Sequence, residues 1–118
     1  MGKFAIVVDN DLSILALIHR WLTPKGYQIA TRPDFAGARE LLRTQECDLL
    51  IADVRLDEFN GLQLAIEARH AYPRIRIVVI SGWTDVMVAR EAEACKAVVL
   101  LKPFTADDLD AAVEAAAV

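Results

Sequence analysis

An apolar run, Cys47-Asp48-Leu49-Leu50-Ile51-Ala52-Asp53, breaks off abruptly on a carboxylate and leads into a polar loop that closes on Asn60-Gly61. The run is too short for a helix and does not alternate. It therefore reads as a strand over 48–53 that is buried on both faces. Strands of that kind belong to parallel sheets covered by helices on either side. Ligands of such sheets sit outside the carboxyl ends of the strands, which is where Asp53 stands.

The rest of the chain repeats the pattern. Lys3 to Val8 is a strand ending on Asp9-Asn10-Asp11, and a helix carries Leu12, Leu15, Ile18 and Leu22 at helical spacing until Pro24 and Gly26 stop it. Tyr27 to Thr31 is a second strand. Asp34 is placed to cap the next helix, whose inward stripe is Phe35, Ala38, Leu41 and Leu42. Asn60 is placed to cap a third helix, with Leu62, Ala65, Ile66 and Arg69 on one face and Pro73 after its end. Ile75 to Ile80 forms a fourth strand ending on Ser81-Gly82, and a helix near 85–94 follows. Ala97 to Leu101 forms a fifth strand ending on Lys102-Pro103. The last helix begins with Thr105 and Asp108 in a capping-box pattern and buries Leu109, Ala112, Val113 and Ala116. Five such alternations predict an α/β, doubly wound, five-stranded parallel sheet in the order 2-1-3-4-5.

With 118 residues, 55% of them hydrophobic, the chain is expected to be one domain over 1–118 with a substantial core. No apolar run approaches membrane-spanning length and no signal-peptide pattern precedes the first strand, so a cytoplasmic location is expected. A net charge of −4 argues against direct binding of nucleic acid. Cys47 and Cys95 lack metal-ligand or CxxC spacing and read as buried thiols. His19 and His70 lie on helices away from the strand ends, neither has a partner at catalytic or metal spacing, and both read as surface histidines.

Four of the five strands end on polar residues: Asp9-Asn10-Asp11, Asp53, Ser81 and Lys102. In a parallel sheet these ends share one edge. Singly, each has an ordinary structural role: a helix cap for Asp11, a turn for Ser81-Gly82, a surface lysine for Lys102. Jointly they predict carboxylates, a hydroxyl and an ammonium in one place. Carboxylates so close repel unless a cation lies between them. An all-oxygen donor set suits a hard ion, foremost Mg²⁺.

These residues resemble the receiver domain of two-component response regulators, of the CheY-like family, over essentially the whole chain. Val7-Val8-Asp9-Asn10-Asp11 is similar to the family's acidic cluster, and Asp53 with Gly61 to its phosphoacceptor segment. Val79-Ile80-Ser81-Gly82 resembles its Thr/Ser switch strand, and Leu101-Lys102-Pro103-Phe104 its lysine-proline segment. The resemblance implies that Asp53 takes a phosphoryl group from a sensor histidine kinase or phosphotransfer protein, in a reaction that needs Mg²⁺. Asp9, Asn10, Asp53 and the backbone carbonyl of Arg55 would hold the ion, leaving the Arg55 side chain free to lie across the pocket. Lys102 would offset the charge on the phosphoryl oxygens and Ser81 would hydrogen-bond them. It also implies a cis Lys102–Pro103 bond and a downstream protein target or an attached output domain. Pairing of two copies through the fourth helix, fifth strand and fifth helix is a further expectation. Such a domain would be no enzyme beyond its own phosphorylation and dephosphorylation.

Three positions depart from the family pattern. Asn10 stands where a second acid is usual, which should weaken the metal site without abolishing it; Asp11 could substitute, although its position points it toward the helix start. Val99 replaces the usual Tyr or Phe, so the signal would pass through the Gly82 to Asp85 loop, with Trp83 as a reporter. Asp57 replaces a proline, with Arg55 placed to neutralise it. Two other readings compete. One is a receiver-like docking domain not regulated by phosphorylation, which Asn10 and Val99 favour. The other is a haloacid-dehalogenase-like phosphatase built on Asp9-Asn10-Asp11-Leu12-Ser13 with Ser81, Lys102 and Asp107-Asp108, in which Asp53 would have no role.

Overall fold

The computed structural model describes residues 2–56 and 60–118. Within them strand and helix alternate: β1 (Lys3–Val8), α1 (Leu12–Leu22), β2 (Tyr27–Arg32), α2 (Phe35–Thr44), β3 (Leu49–Asp53), α3 (Gly61–Ala71), β4 (Arg76–Ser81), α4 (Val86–Ala94), β5 (Val98–Leu101) and α5 (Ala106–Ala115). Every ladder is parallel and the order is β2-β1-β3-β4-β5. The expected architecture is thus the observed one.

The pleat divides the core in two, because successive side chains in a strand point to opposite faces. Ile6, Val8, Leu50, Ala52, Ile77 and Val79 pack with α2, α3 and α4 through Ala38, Leu42, Ala65 and Ala92. Ala5, Val7, Leu49, Ile51, Val78 and Ile80 pack with α1 and α5 through Ile18, Leu22 and Leu109. This is why β1, β3 and β4 read as unbroken apolar runs.

Each helix starts on a side-chain cap: Asp11, Asp34, Asn60, Asp85 and Thr105 accept from the main-chain N–H of Ser13, Gly37, Gln63, Met87 and Asp108. Asn60 with Gln63, and Thr105 with Asp108, form reciprocal capping boxes. Each cap contributes about 1 kcal/mol and fixes where a strand-end loop turns into its helix. After α1, a single 3-10 turn over Thr23–Lys25 contains Pro24 and closes on Gly26, whose φ of 88° only glycine adopts without strain.

Several expected details are corrected. Asp48, Ile75 and Ala97 lie just before their strands, whereas Arg32 and Ser81 lie within theirs. Asp48 instead accepts a hydrogen bond from the Phe4 N–H. Leu12 is 68% exposed: the buried arc of α1 is Leu15, Ile18 and Leu22, and a step of about 100° per residue leaves Leu12 outside it. Ile66 is 53% exposed. The buried arc of α3 is Gly61, Leu62, Leu64, Ala65 and Ala68, and a step of 100° per residue carries Ile66 past its edge. Arg69 does turn inward: its guanidinium donates to the carbonyls of Pro73, Ile75, Cys95 and Lys96, tying α3 to the loops before β4 and β5.

Cys47 and Cys95 are buried free thiols. Burial pushes the Cys47 thiol up to about 12 and raises Cys95 as well, which leaves both unreactive. His19 and His70 are exposed. Among the described residues no helix is long and apolar enough to cross a membrane.

Candidate functional site

Strand register brings the polar strand ends together. Val8 is level with Ala52, so Asp9, the next residue, comes level with Asp53. Asp53 pairs with Ile80 and Ser81 with Leu101, which puts Ser81 one step past Asp53 and Lys102 one step past Ser81. The Ser81 carbonyl accepts the Lys102 N–H at 2.8 Å, and the following Lys102–Pro103 bond is cis.

The Asp53 carboxylate is held at both oxygens. Oδ1 accepts the Arg55 N–H at 2.9 Å and Oδ2 accepts the Lys102 ammonium at 2.9 Å. Its side chain keeps 8% of its surface open to solvent, so the acid is recessed but reachable. Asp9 is fully buried. Its Oδ1 accepts the Asp11 N–H at 2.8 Å, while Oδ2 lies 3.5 Å from the Lys102 ammonium and has no hydrogen-bond partner.

The electrostatics follow from that crowding. Burial pushes the Asp9 carboxyl up to about 6, with the Asp53 charge adding to it; the Asp11 N–H and the Lys102 ammonium pull the other way and do not prevail. Burial also works against the Lys102 ammonium, but the Asp53 and Asp9 carboxylates outweigh it and hold the lysine above its ordinary range.

Asn10 is exposed at the rim beside Asp9. Asp11 caps α1, its Oδ1 accepting the Ser13 N–H, which turns that carboxylate away from the pocket. Two carboxylates and one amide thus stand at the edge, and among the described residues no cluster of three or more His, Cys, Asp or Glu could hold a metal ion. Asp9 Oδ2, buried without a hydrogen bond and with the Lys102 ammonium no nearer than 3.5 Å, nevertheless fits a cation: an acceptor without a close donor is costly to bury, and an ion would complete it.

Ser81 is buried, and its hydroxyl donates to the Trp83 carbonyl at 2.7 Å. The Arg55 guanidinium lies over the Trp83 indole, with Cζ 4.0 Å from the ring centroid. Neither pairing follows from sequence spacing, since each joins groups on neighbouring strands or inside one loop. Asp57 lies outside the described residues. Val99 packs half-buried against the α4 side of the core. Spacing alone makes Gly61 no more than the close of a loop; in the fold its backbone lies directly against the carbonyl of Asp53. Asp107 and Asp108 sit in the first turn of α5, and Asp108 is spent on the Thr105 N–H. The phosphatase reading therefore loses its late acidic motif and gains no use for Asp53.

A five-stranded parallel sheet with a recessed acid, a lysine upon it and a buried acid beside it defines a class of signalling domain. The chain belongs to the response regulator receiver domain family, whose model matches residues 5–114. It is 34% identical over 105 residues to the alginate biosynthesis transcriptional regulatory protein AlgB of Pseudomonas putida, covering 88% of this chain and 23% of that protein. It is 32% identical over 112 residues to the transcriptional regulatory protein ZraR of Escherichia coli K12, covering 94% and 25%. The chain thus spans only a small part of the length of these relatives. Its fold is similar to that of a CheY-like receiver domain protein from Methanospirillum hungatei, with a TM-score of 0.88 at 19% identity, covering 97% of this chain and 92% of that one. It is likewise similar to a response regulator from Burkholderia pseudomallei solved with a phosphorylated aspartic acid, calcium ion and citrate, with a TM-score of 0.84 at 22% identity, covering 95% and 66%.

Proposed function

We propose that Asp53 is the phosphoacceptor of a single receiver domain over 1–118 and that its phosphorylation switches protein contacts. The observation that carries this reading is the Lys102 ammonium 2.9 Å from Asp53 Oδ2, beside a buried oxygen of Asp9 that has no hydrogen bond. An Asp53 carboxylate oxygen attacks the phosphorus of a phosphohistidine on a kinase or phosphotransfer protein. The new O–P bond forms as the N–P bond breaks, and the imidazole nitrogen leaves with the electron pair. Lys102 holds the oxygens as charge builds, and the recessed pocket fixes the line of approach, so positioning and electrostatics supply the rate. Ser81 exchanges its Trp83 partner for a phosphoryl oxygen. Asp9, Asn10, Asp53 and the Arg55 carbonyl would hold Mg²⁺, which when bound neutralises phosphoryl charge. The domain turns over no other substrate and works in the cytoplasm, with a target protein or output domain as its reader.

Acetyl phosphate with Mg²⁺ tests the reading. A phosphoryl adduct by intact mass, absent in Asp53→Asn, supports it; no adduct, or one that survives Asp53→Asn, overturns it. The docking-domain reading rests on Asn10 and Val99 and predicts no adduct at all. A second outcome concerns Asn10: Asn10→Asp restores a negative charge at the rim and should tighten Mg²⁺ binding about tenfold. Equal affinity of the two proteins in a Mg²⁺ titration would remove Asn10 from the metal site.

A further inference from the structure

Arg55 stands two residues after the acceptor, and its main-chain N–H is fixed on Asp53 Oδ1. Its side chain reaches across to the loop after β4, where the guanidinium stacks on Trp83 at 4.0 Å. Among the described residues that guanidinium forms an ion pair with no carboxylate. Trp83 is 40% exposed, and its backbone is bound to the Ser81 side chain twice, by the carbonyl at 2.7 Å and by the N–H at 3.4 Å. The Arg55 guanidinium and the buried Ser81 hydroxyl are therefore both engaged with one residue, and α4 begins three residues later at Val86.

From this arrangement we infer that the Arg55–Trp83 stack is a latch over the acceptor pocket, opened when Asp53 carries a phosphoryl group. Arg55 leaves the indole for a phosphoryl oxygen, and the freed Trp83 reports the change to the start of α4. The inference rests on the phosphoacceptor reading and adds a positioning role for Arg55. The relative strengths favour the exchange. An exposed guanidinium–arene contact biases a population by about two- to fivefold. A charge-assisted hydrogen bond to a phosphoryl oxygen is worth about tenfold or more. The latch also gives the domain a reporter where Val99 is too short and stiff to swing.

The test needs Trp83 alone to be visible. Trp21 packs edge-on against Phe104 at 6.1 Å and is the other indole, so Trp21→Phe removes it. In that background, acrylamide quenching of Trp83 is measured with and without acetyl phosphate and Mg²⁺, with intact mass counting the adduct. Quenching should rise about twofold on adduct formation. Arg55→Ala should start near the raised value and change little, and Arg55→Gln should behave alike. Arg55→Lys, which keeps the charge, should recover part of the response. Equal resting quenching in parent and Arg55→Ala overturns the latch, as does an equal response per adduct in both. No adduct on the otherwise unaltered chain overturns the acceptor reading, and the latch with it; an adduct with an unchanged Trp83 overturns the latch alone.

Discussion

Gly61→Ala is expected to destabilise the fold by about 3 kcal/mol, although Gly61 is a helical residue with no left-handed φ. Helix propensity alone points the other way, since alanine gains up to about 1 kcal/mol over glycine in a helix interior, and the unfolded chain is restricted by a comparable amount. Sterics decide the sign. A Cβ on Gly61 would collide with the carbonyl oxygen of Asp53, and it would lie 2.9 Å from that carbonyl's carbon and 3.0 Å from the Ala52 Cβ. These are atoms of a central strand, not the end of a side chain that could swing aside.

Neither partner can retreat cheaply. The Val54 N–H is bonded to the Ile80 carbonyl at 2.8 Å, and the Gly61 N–H to the Val54 carbonyl at 3.1 Å. Moving α3 instead breaks the Asn60–Gln63 capping box, at about 1 kcal/mol. Because the collision is with Asp53 itself, the same substitution should displace the acceptor from Lys102 and slow adduct formation several-fold in the protein that remains folded. Urea unfolding with amide shifts at Asp53 and Val54 measures both effects. A loss below about 0.5 kcal/mol would mean that the loop ahead of α3 absorbs the Cβ and that glycine is not needed there.

That collision marks the boundary of what could be read in advance. The sheet was legible because its central strands are buried on both faces, so β1, β3 and β4 appear as unbroken apolar runs, each ending on a polar residue. Register then follows from parallel pairing, and the meeting of Asp9, Asp53, Ser81 and Lys102 at one edge needs nothing more than strand order. Helix faces were less legible at their edges: Leu12 stands three residues before a core position, yet it falls outside the buried arc of Leu15, Ile18 and Leu22. The resting partners of the site could not be read at all. That Arg55 stacks on Trp83 and Ser81 binds a loop carbonyl depends on the path of two loops, which no periodicity encodes. Nor does an aspartate after a strand announce that it will be fully buried with one oxygen left without a hydrogen bond.

That burial makes a second large effect: Asp9→Asn should stabilise the fold at pH 7.5 by about 1 to 3 kcal/mol, and the gain should fade as the pH is lowered toward 4. The sign follows from the raised carboxyl, about 6 in the fold against an ordinary 3.8. Below the lower value Asp9 is protonated whether the chain is folded or not, and no penalty arises. As the pH rises between the two, the unfolded chain releases the proton freely while the fold retains it, so stability falls. Above the upper value the folded protein carries a desolvated charge beside Asp53, and the loss is complete. The substituted asparagine would remove that charge, and its amide would offer donors to the neighbouring carboxylate, while Lys102 would keep its shorter contact to Asp53. Unfolding free energies of the two proteins at pH 4 and pH 7.5 measure the difference, and a destabilised Asp9→Asn at pH 7.5 would make Asp9 a structural acid. The same variant should lose about tenfold or more in Mg²⁺ affinity, because it lacks the only fully buried carboxylate at the rim among the described residues. Stability gained together with ion binding lost is the pattern of a group kept at the expense of the fold for what it binds.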